Sequence, residues 1–302
     1  MSFLFCDPMF TPDIPLDLTS SDLLLLFSRH AIDPSSVSKI GRNTFSLFSS
    51  SHPYLLKSSL SIFQLRSIVF ALDYFSKINP DSLEVPFVLD SVESSPSNCL
   101  VLLTYVSGNP LTCDDYQPIF DFLTHGSSFF SLFELSPFYS DLKLKPEDHF
   151  FASMSADILH MISSNPLYQP LLSFFSIGPP DKTPCLIHGD LIFQNILRSS
   201  VSSSRFCLID WEFSGVFYRS FDYAWLLVMS CVYQLCDVHD LVTFSNNCPN
   251  ERYFILFSYL RLLLRLSQVR HRSEVHALQE LRFIRMLSRF LDIYDLPSLA
   301  YP

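Results

Sequence analysis

Residues 185–197 read Cys-Leu-Ile-His-Gly-Asp-Leu-Ile-Phe-Gln-Asn-Ile-Leu, in which His188, Gly189, Asp190 and Asn195 interrupt two apolar runs. No other stretch restricts the fold as much. An apolar run that stops at His-Gly-Asp reads as a short buried strand, and the run that restarts at Asn195 reads as the first arm of a hairpin. A Ser-rich turn separates residues 195–199 from the second arm, residues 205–210, which closes on Asp210. Asp190, Asn195 and Asp210 are therefore expected on one strand, loop and hairpin, a scaffold that keeps their separations fixed. Glycine at 189 lets the backbone pass close beneath a reacting group.

Two carboxylates and a carboxamide held in this way suit phosphoryl transfer from a nucleotide. One carboxylate must orient the acceptor hydroxyl and take its proton, while other oxygen ligands hold Mg²⁺ against the phosphates. Asp190 is the candidate catalytic base, and Asn195 and Asp210 are the candidate metal ligands. Mg²⁺ prefers hard oxygen donors and completes its octahedron with phosphate oxygens and water.

The remaining segments mix strand and helix patterns. Residues 1–30 read as an extended, Pro-containing arm followed by a helix near 20–30, with Ser20 or Ser21 as N-cap. Residues 37–59 alternate Phe, Leu and Tyr with Ser about turn residues, which predicts strand, turn and strand, with Lys57 near the end. Apolar residues at helical spacing run from 59 to 78, where Asn79-Pro80 ends the helix. Residues 85–92 and 99–108 predict a hairpin. Helical patterns follow over 114–126 and 146–164, and again from about 220 to 289. There is no internal repeat.

With 302 residues, 48% of them apolar and 17% charged, the chain has material for one large domain or two lobes and lies outside the disordered class. No run reaches the roughly 18 uninterrupted apolar residues of a membrane span. The most apolar stretches, 223–236 and 253–266, are too short or are broken by Arg261 and Arg265. The first ten residues lack a basic region and contain Asp7 and Pro8, a poor signal peptide, so a cytoplasmic location is expected. Eight cysteines form no CxxC pair, and Cys231, Cys236 and His239 match no zinc spacing, so neither disulfides nor a structural metal is expected. A formal charge of −10 argues against a nucleic-acid partner and fits a cationic small molecule better than an anionic one. Nothing in the sequence sets an oligomeric state.

The segments HGDLIFQN (188–195), LIDWEFSG (208–215) and SFDYAWL (220–226) resemble those of the aminoglycoside phosphotransferase and choline kinase superfamily, the small-molecule relatives of the protein kinases. That family's loop reads H-x-D-x-x-x-x-N, and its metal-binding Asp opens an I-D-[WF]-E segment. Asp190, Asn195 and Asp210 match these position by position. The phrase YRSFDYAW (218–225) is similar to the choline and ethanolamine kinase branch in particular. The resemblance spans residues 38–230 and is most specific over 188–212.

The resemblance implies an α+β, bilobal protein-kinase-like fold. Residues 1–105 would form a small N-terminal lobe with an antiparallel sheet, and residues 106–302 a larger, mainly helical C-terminal lobe with the catalytic loop and acceptor site. It implies ATP and Mg²⁺ as cofactors. Gly41 and Asn43 would lie in the nucleotide-covering turn, Lys57 against the α- and β-phosphates, and the backbone of Thr104, Tyr105 and Val106 against the adenine. Asp222 would buttress the loop from the head of a helix, and His188 would steady it without moving a proton. The implied activity is transfer of the γ-phosphoryl to a hydroxyl of a small molecule. A choline- or ethanolamine-like amino alcohol is the first choice of acceptor, and an aminoglycoside or other hydroxylated amine the second. Of six glycines, Gly41, Gly108, Gly189 and Gly215 fall in the turns so identified, which agrees with this reading.

One departure stands out. The family carries a Glu on its first helix that pairs with the phosphate lysine, and residues 59–75 contain none. Gln64 and Glu84 are the substitutes the sequence offers. The gap also supports an alternative, a catalytically silent, kinase-like binding protein. Glu212 is divided between the metal or acceptor and an arginine such as Arg219. Trp211, Tyr218, Tyr223 and Trp225 are candidates for lining an acceptor site, because aromatic faces attract a quaternary ammonium. The arginines of residues 261–290 read as the solvated face of an amphipathic helix pair.

Overall fold

The computed structural model describes residues 16–17, 19–41, 43–49, 52–78, 83–111, 115, 150–179, 184–200, 205–218, 220–233, 249–267 and 274–293. These divide between two compact units. One holds the described residues within 11–116 and 188–214, the other those within 117–187 and 215–302.

The first unit opens with α1 (Ser21–Arg29). Ser20 stands at the N-cap but makes no side-chain cap. The chain turns instead on Asp17, whose Oδ1 accepts from the Thr19 amide at 3.0 Å and hydroxyl at 2.6 Å. Leu23, Leu26 and Phe27, spaced three and four apart, bury against Phe45, Leu47, Leu56, Leu100 and Leu102. Removing three such side chains from water contributes roughly 5 kcal/mol to docking the helix.

The sheet beneath it runs β1 (Ser38–Gly41), β2 (Thr44–Phe48), β3 (Pro53–Leu60), β6 (Asn98–Thr104) and β5 (Val88–Ser95), antiparallel throughout. Residues 37–59 thus form three strands rather than the expected two, because Asn43 adopts φ 50° and turns the chain between Gly41 and Thr44. Helix α2 (Ile62–Ile78) starts three residues later than its apolar spacing predicts. Its start is fixed by a reciprocal cap, in which Ser61 N donates to Gln64 Oε1 at 2.9 Å and Gln64 N to Ser61 Oγ at 3.2 Å. The 85–108 hairpin forms as β5 and β6.

A second sheet in this unit has the order β4 (Leu83–Glu84), β10 (Phe206–Leu208), β9 (Ile196–Ser199), β7 (Gly108–Pro110). β9 and β10 are the arms of the hairpin expected after Asn195, and β10 also pairs in parallel with β4. Gly108 permits the close approach of β7. A Cβ there would lie 2.7 Å from Leu197 Cβ and 2.8 Å from the Arg198 carbonyl.

The second unit is mainly helical, with α3 (Phe150–Ser164), α4 (Leu172–Ile177), α5 (Phe221–Val232), α6 (Pro249–Ser267) and α7 (Glu274–Ile293), plus the antiparallel pair β8 (Pro184–Ile187) and β11 (Gly215–Tyr218). The helix expected over 114–126 falls outside the described residues. Every residue of α5 is buried, including Asp222 at 5% exposure, as befits a helix that is apolar all round. Arg261 on α6 does not belong to a solvated face. It is fully buried, with its guanidinium 4.0 Å from the Trp225 ring centroid and 5.5 Å from that of Phe221. No helix among the described residues is long and apolar enough to cross a membrane. Cys99, Cys207 and Cys231 are buried.

Candidate functional site

All the polar side chains singled out between residues 188 and 212 lie in the first unit. The chain enters through His188, which is 1% exposed. Its Nε2–H donates to the Ile209 carbonyl at 2.8 Å, and its Nδ1 accepts from the Asp190 amide at 3.4 Å. Both ring nitrogens are thus occupied by backbone, which fits a steadying role. Gly189 has φ 82°, a conformation that favours glycine. The half-buried Asp190 follows, and the buried Leu191 and Phe193 anchor the loop.

Asn195 ends a 3₁₀ turn (Phe193–Asn195) and is 6% exposed. Its Nδ2 donates to the Asp190 carbonyl at 2.9 Å, which leaves Oδ1 as the carboxamide's acceptor atom. The Asn195 carbonyl accepts from the Ile209 amide at 3.0 Å. Ile209 is therefore held at its carbonyl by His188 and at its amide by Asn195, which ties the Asp190 loop to the residue before Asp210.

Asp210 sits in the left-handed region, φ 68° and ψ 59°, at the head of a 3₁₀ turn (Trp211–Phe213). Such a conformation is uncommon for a residue with a Cβ and persists where the surroundings enforce it. The next residue, Trp211, is 2% exposed. Its Nε1 donates to the Leu208 carbonyl at 2.9 Å, and its ring lies 5.0 Å from Phe75 of α2 and 4.6 Å from His188. Ser214 Oγ closes the turn on the Trp211 carbonyl at 2.7 Å.

Lys57 of β3 reaches this turn from the sheet. Its Nζ donates to Asp210 Oδ1 and, at 2.6 Å, to Glu212 Oε1. The lysine side chain is 5% exposed, Asp210 43% and Glu212 22%. Withdrawal from water favours the neutral amine, but the charges of Asp210 and Glu212 outweigh it and hold the ammonium above the ordinary lysine range. Loss of solvation likewise works against the Asp210 carboxylate, and the Lys57 charge reverses the balance, keeping its pKa below the usual range.

Neither substitute read from the sequence reaches Lys57. Gln64 is committed to the Ser61 amide. Glu84 accepts from Ser199 Oγ at 2.8 Å and from Cys207 Sγ at 3.5 Å. The partner is Glu212, and the signal for it was its place two residues after Asp210 on a tight turn. Arg219 lies outside the described residues.

Near the lysine, Thr44 of β2 is its cross-strand partner, which sets the turn carrying Gly41 and Asn43 beside it. Asn43 is 8% exposed, and its Oδ1 has no hydrogen-bond partner among the described residues. At the end of β6, the Thr104 amide donates to the Phe87 carbonyl at 2.9 Å. Tyr105 is exposed and Val106 half-buried, and the Ser107 carbonyl takes the Ser200 amide at 3.2 Å. Of the four aromatics proposed for an acceptor, Trp211, Tyr223 and Trp225 are core residues at 2%, 3% and 0% exposure, and only Tyr218 is half-buried.

The donor chemistry fits a hard divalent ion. Asp210 and Glu212 offer carboxylate oxygens and Asn195 a carboxamide oxygen, while no group of three His, Cys, Asp or Glu among the described residues forms a metal cluster. A set with so few protein ligands suits Mg²⁺, which keeps phosphate oxygens and waters as the rest of its shell.

No curated protein matches the chain in sequence. Residues 169–237 match the model of the phosphotransferase enzyme family, APH. Among solved structures, amicoumacin kinase hAmiN, in complex with AMP-PNP, Ca²⁺ and Ami, is similar with a TM-score of 0.63 at 11% identity, over 92% of this chain and 95% of that one. A thermostable mutant of aminoglycoside phosphotransferase APH(4)-Ia in its apo form gives 0.60 at 15% identity, over 87% and 97%. The microcompartment-associated aminopropanol kinase gives 0.57 at 17% identity, over 92% and 99%. At such identities the likeness is one of fold, the protein-kinase-like α+β fold. Residues 169–237 carry the sequence pattern of the phosphotransferase enzyme family.

Proposed function

We propose that this protein transfers the γ-phosphoryl of ATP to a hydroxyl of a small molecule, with Mg²⁺ held by Asn195 and Asp210. The observation that carries the reading is the double tie at Ile209. It holds the Asp190 loop and the Asp210 turn in one frame, with Lys57 bonded to the same turn. Asp190 orients the acceptor hydroxyl and takes its proton. Lys57 steadies the α- and β-phosphates, the turn at Gly41 and Asn43 covers them, and backbone at Thr104, Tyr105 and Val106 meets the adenine. The metal, when bound, neutralises charge on the phosphate oxygens.

For the acceptor we favour a choline- or ethanolamine-like amino alcohol over an aminoglycoside. The charge of −10 suits a cationic acceptor, and an aminopropanol kinase is among the similar structures. The ground for a catalytically silent module was the missing helix Glu; Lys57 is nonetheless ion-paired, to Asp210 and Glu212, which supports the active reading. Asp190→Ala tests the assignment. ATP turnover against a panel of amino alcohols, sugars and aminoglycosides should fall by about 10²-fold or more, the usual contribution of a positioned base, with ATP affinity nearly intact. A large loss of ATP affinity would count against the role of Asp190, and no turnover by the unaltered protein with any acceptor would count against the activity.

A further inference from the structure

In the proposed activity the backbone of residues 104–106 meets the adenine, and this stretch leads from β6 into β7. β7 is an edge of the second sheet and only three residues long, and its Pro110 has no amide to give to a ladder. Such a strand holds little by itself. Its neighbour β9 starts directly after Asn195 and sets Ser199 against Gly108, Arg198 against Asn109 and Leu197 against Pro110. Past the end of β9, Ser200 donates its amide and hydroxyl to the Ser107 carbonyl at 3.2 and 3.0 Å. Past the end of β7, Asp115 accepts at Oδ1 from the Arg198 guanidinium. Asp115 is 7% exposed, and a carboxylate so placed requires compensation. Arg198 is half-buried, with its guanidinium 5.9 Å from the ring centroid of Phe206, the residue opposite it on β10.

We propose that Arg198 is a positioning residue for the nucleotide base. Through Asp115 it holds the chain beyond β7 on β9, and so fixes the backbone at 104–106 against the strand that begins at Asn195. The inference rests on the phosphotransferase reading and adds to it a residue outside the Asp190 loop and the Asp210 turn. Ser107 and Asp115 tie the chain on either side of β7, the first by backbone and the second by charge alone. Removing the charged tie leaves the edge strand with its few ladder bonds, and the backbone leading into it loses its fixed position. Phosphate binding is a separate matter, because Lys57 and the turn at Gly41 and Asn43 belong to the five-stranded sheet. A loss confined to the base, with the phosphates still held, is the signature of this role.

Two probes separate base from phosphates, AMP-PNP and magnesium tripolyphosphate, which has no base; calorimetric titration reads the affinity of each. Arg198→Met should weaken AMP-PNP by about tenfold, as the loss of one hydrogen bond to the base would, and leave tripolyphosphate unchanged. In steady-state assays the KM for ATP should rise in step while kcat at saturating ATP stays within about twofold. Arg198→Lys keeps a charged donor for Asp115 and should restore part of the affinity. If Arg198→Met does not fold because Asp115 is left unpaired, the double variant Arg198→Met with Asp115→Asn removes both charges and should show the same split between the probes. AMP-PNP bound equally by the unaltered protein and the variants overturns the inference and leaves the proposed activity standing, and so does an equal loss of both probes, which marks a general structural role. Failure of the unaltered protein to bind either probe overturns both.

Discussion

Replacing His188 by Phe isolates the part of the site that depends on hydrogen bonds rather than on packing. Phe fills nearly the same space and keeps the ring contact with Trp211, 4.6 Å between centroids. It cannot supply the Nε2–H that the Ile209 carbonyl receives at 2.8 Å, nor the acceptor that the Asp190 amide uses at 3.4 Å. At 1% exposure, no water can replace either bond without the core opening. Orphaning the carbonyl costs about 1–3 kcal/mol and losing the longer, weaker bond about 1 kcal/mol more, so stability should fall by about 2–4 kcal/mol.

Turnover should fall as well, because Ile209 joins His188 to Asn195 and immediately precedes Asp210. A shift of about 1 Å at the reacting groups is enough for about 10²-fold in kcat. The KM for ATP should move little, since Lys57 keeps its partners. Urea unfolding and steady-state kinetics on the same preparation measure both effects, and His188→Gln, which restores an amide donor, should recover part of each. A His188→Phe protein within about 0.5 kcal/mol of the original, with kcat unchanged, would refute the claim that this histidine frames the site.

The ion pair predicts a pH window. Asp210 titrates below its unfolded value near 3.9, so its contribution is complete above that pH and is lost as pH falls through the folded value. Lys57 titrates above its unfolded value near 10.4, so its contribution is complete below that pH and is lost as pH rises toward the folded value. The stability difference between the unaltered protein and Lys57→Gln, from urea melts, should therefore be flat from about pH 5 to 9 and shrink at both extremes; a slope inside that window would contradict the pairing. Burial and the neighbouring Glu84 push the Cys207 thiol up to about 12. Native protein and Cys207→Ala should consequently show the same number of thiols reactive to a disulfide reagent at mildly alkaline pH, and one extra reactive thiol in the former would argue against that burial.

The scaffold of the candidate site was legible where its contacts are local. Asp190, Asn195 and Ile209 are joined by bonds that span a single loop and hairpin, and strand and turn patterns report such elements directly. The partners of Lys57 lie 153 and 155 residues away, and no periodicity in either segment carries that information. The start of α2 was misread because apolar spacing cannot separate the last residues of a strand from the first turn of a helix, whereas the Ser61–Gln64 cap can. Arg261 was misread because helical patterning counts every arginine as polar, and only the fold brings the Trp225 ring under its guanidinium.

The absent helix acid also changes what α2 does. Where a helix glutamate pairs with the phosphate lysine, one directional contact both locates the helix and orients the lysine. Here those tasks are separate. Lys57 is oriented by the turn at residues 210–212, and α2 meets that turn through Phe75, whose ring lies 5.0 Å from Trp211. Both rings are almost fully buried, at 1% and 2% exposure, and an apolar contact of this kind is neither screened by salt nor dependent on protonation. A small displacement of α2 would thus leave the lysine paired and would act on the site through Trp211, the residue next to Asp210 on that turn. Phe75→Ala should therefore perturb turnover more than it perturbs the Lys57 ion pair, the reverse of what an ion-paired helix would give.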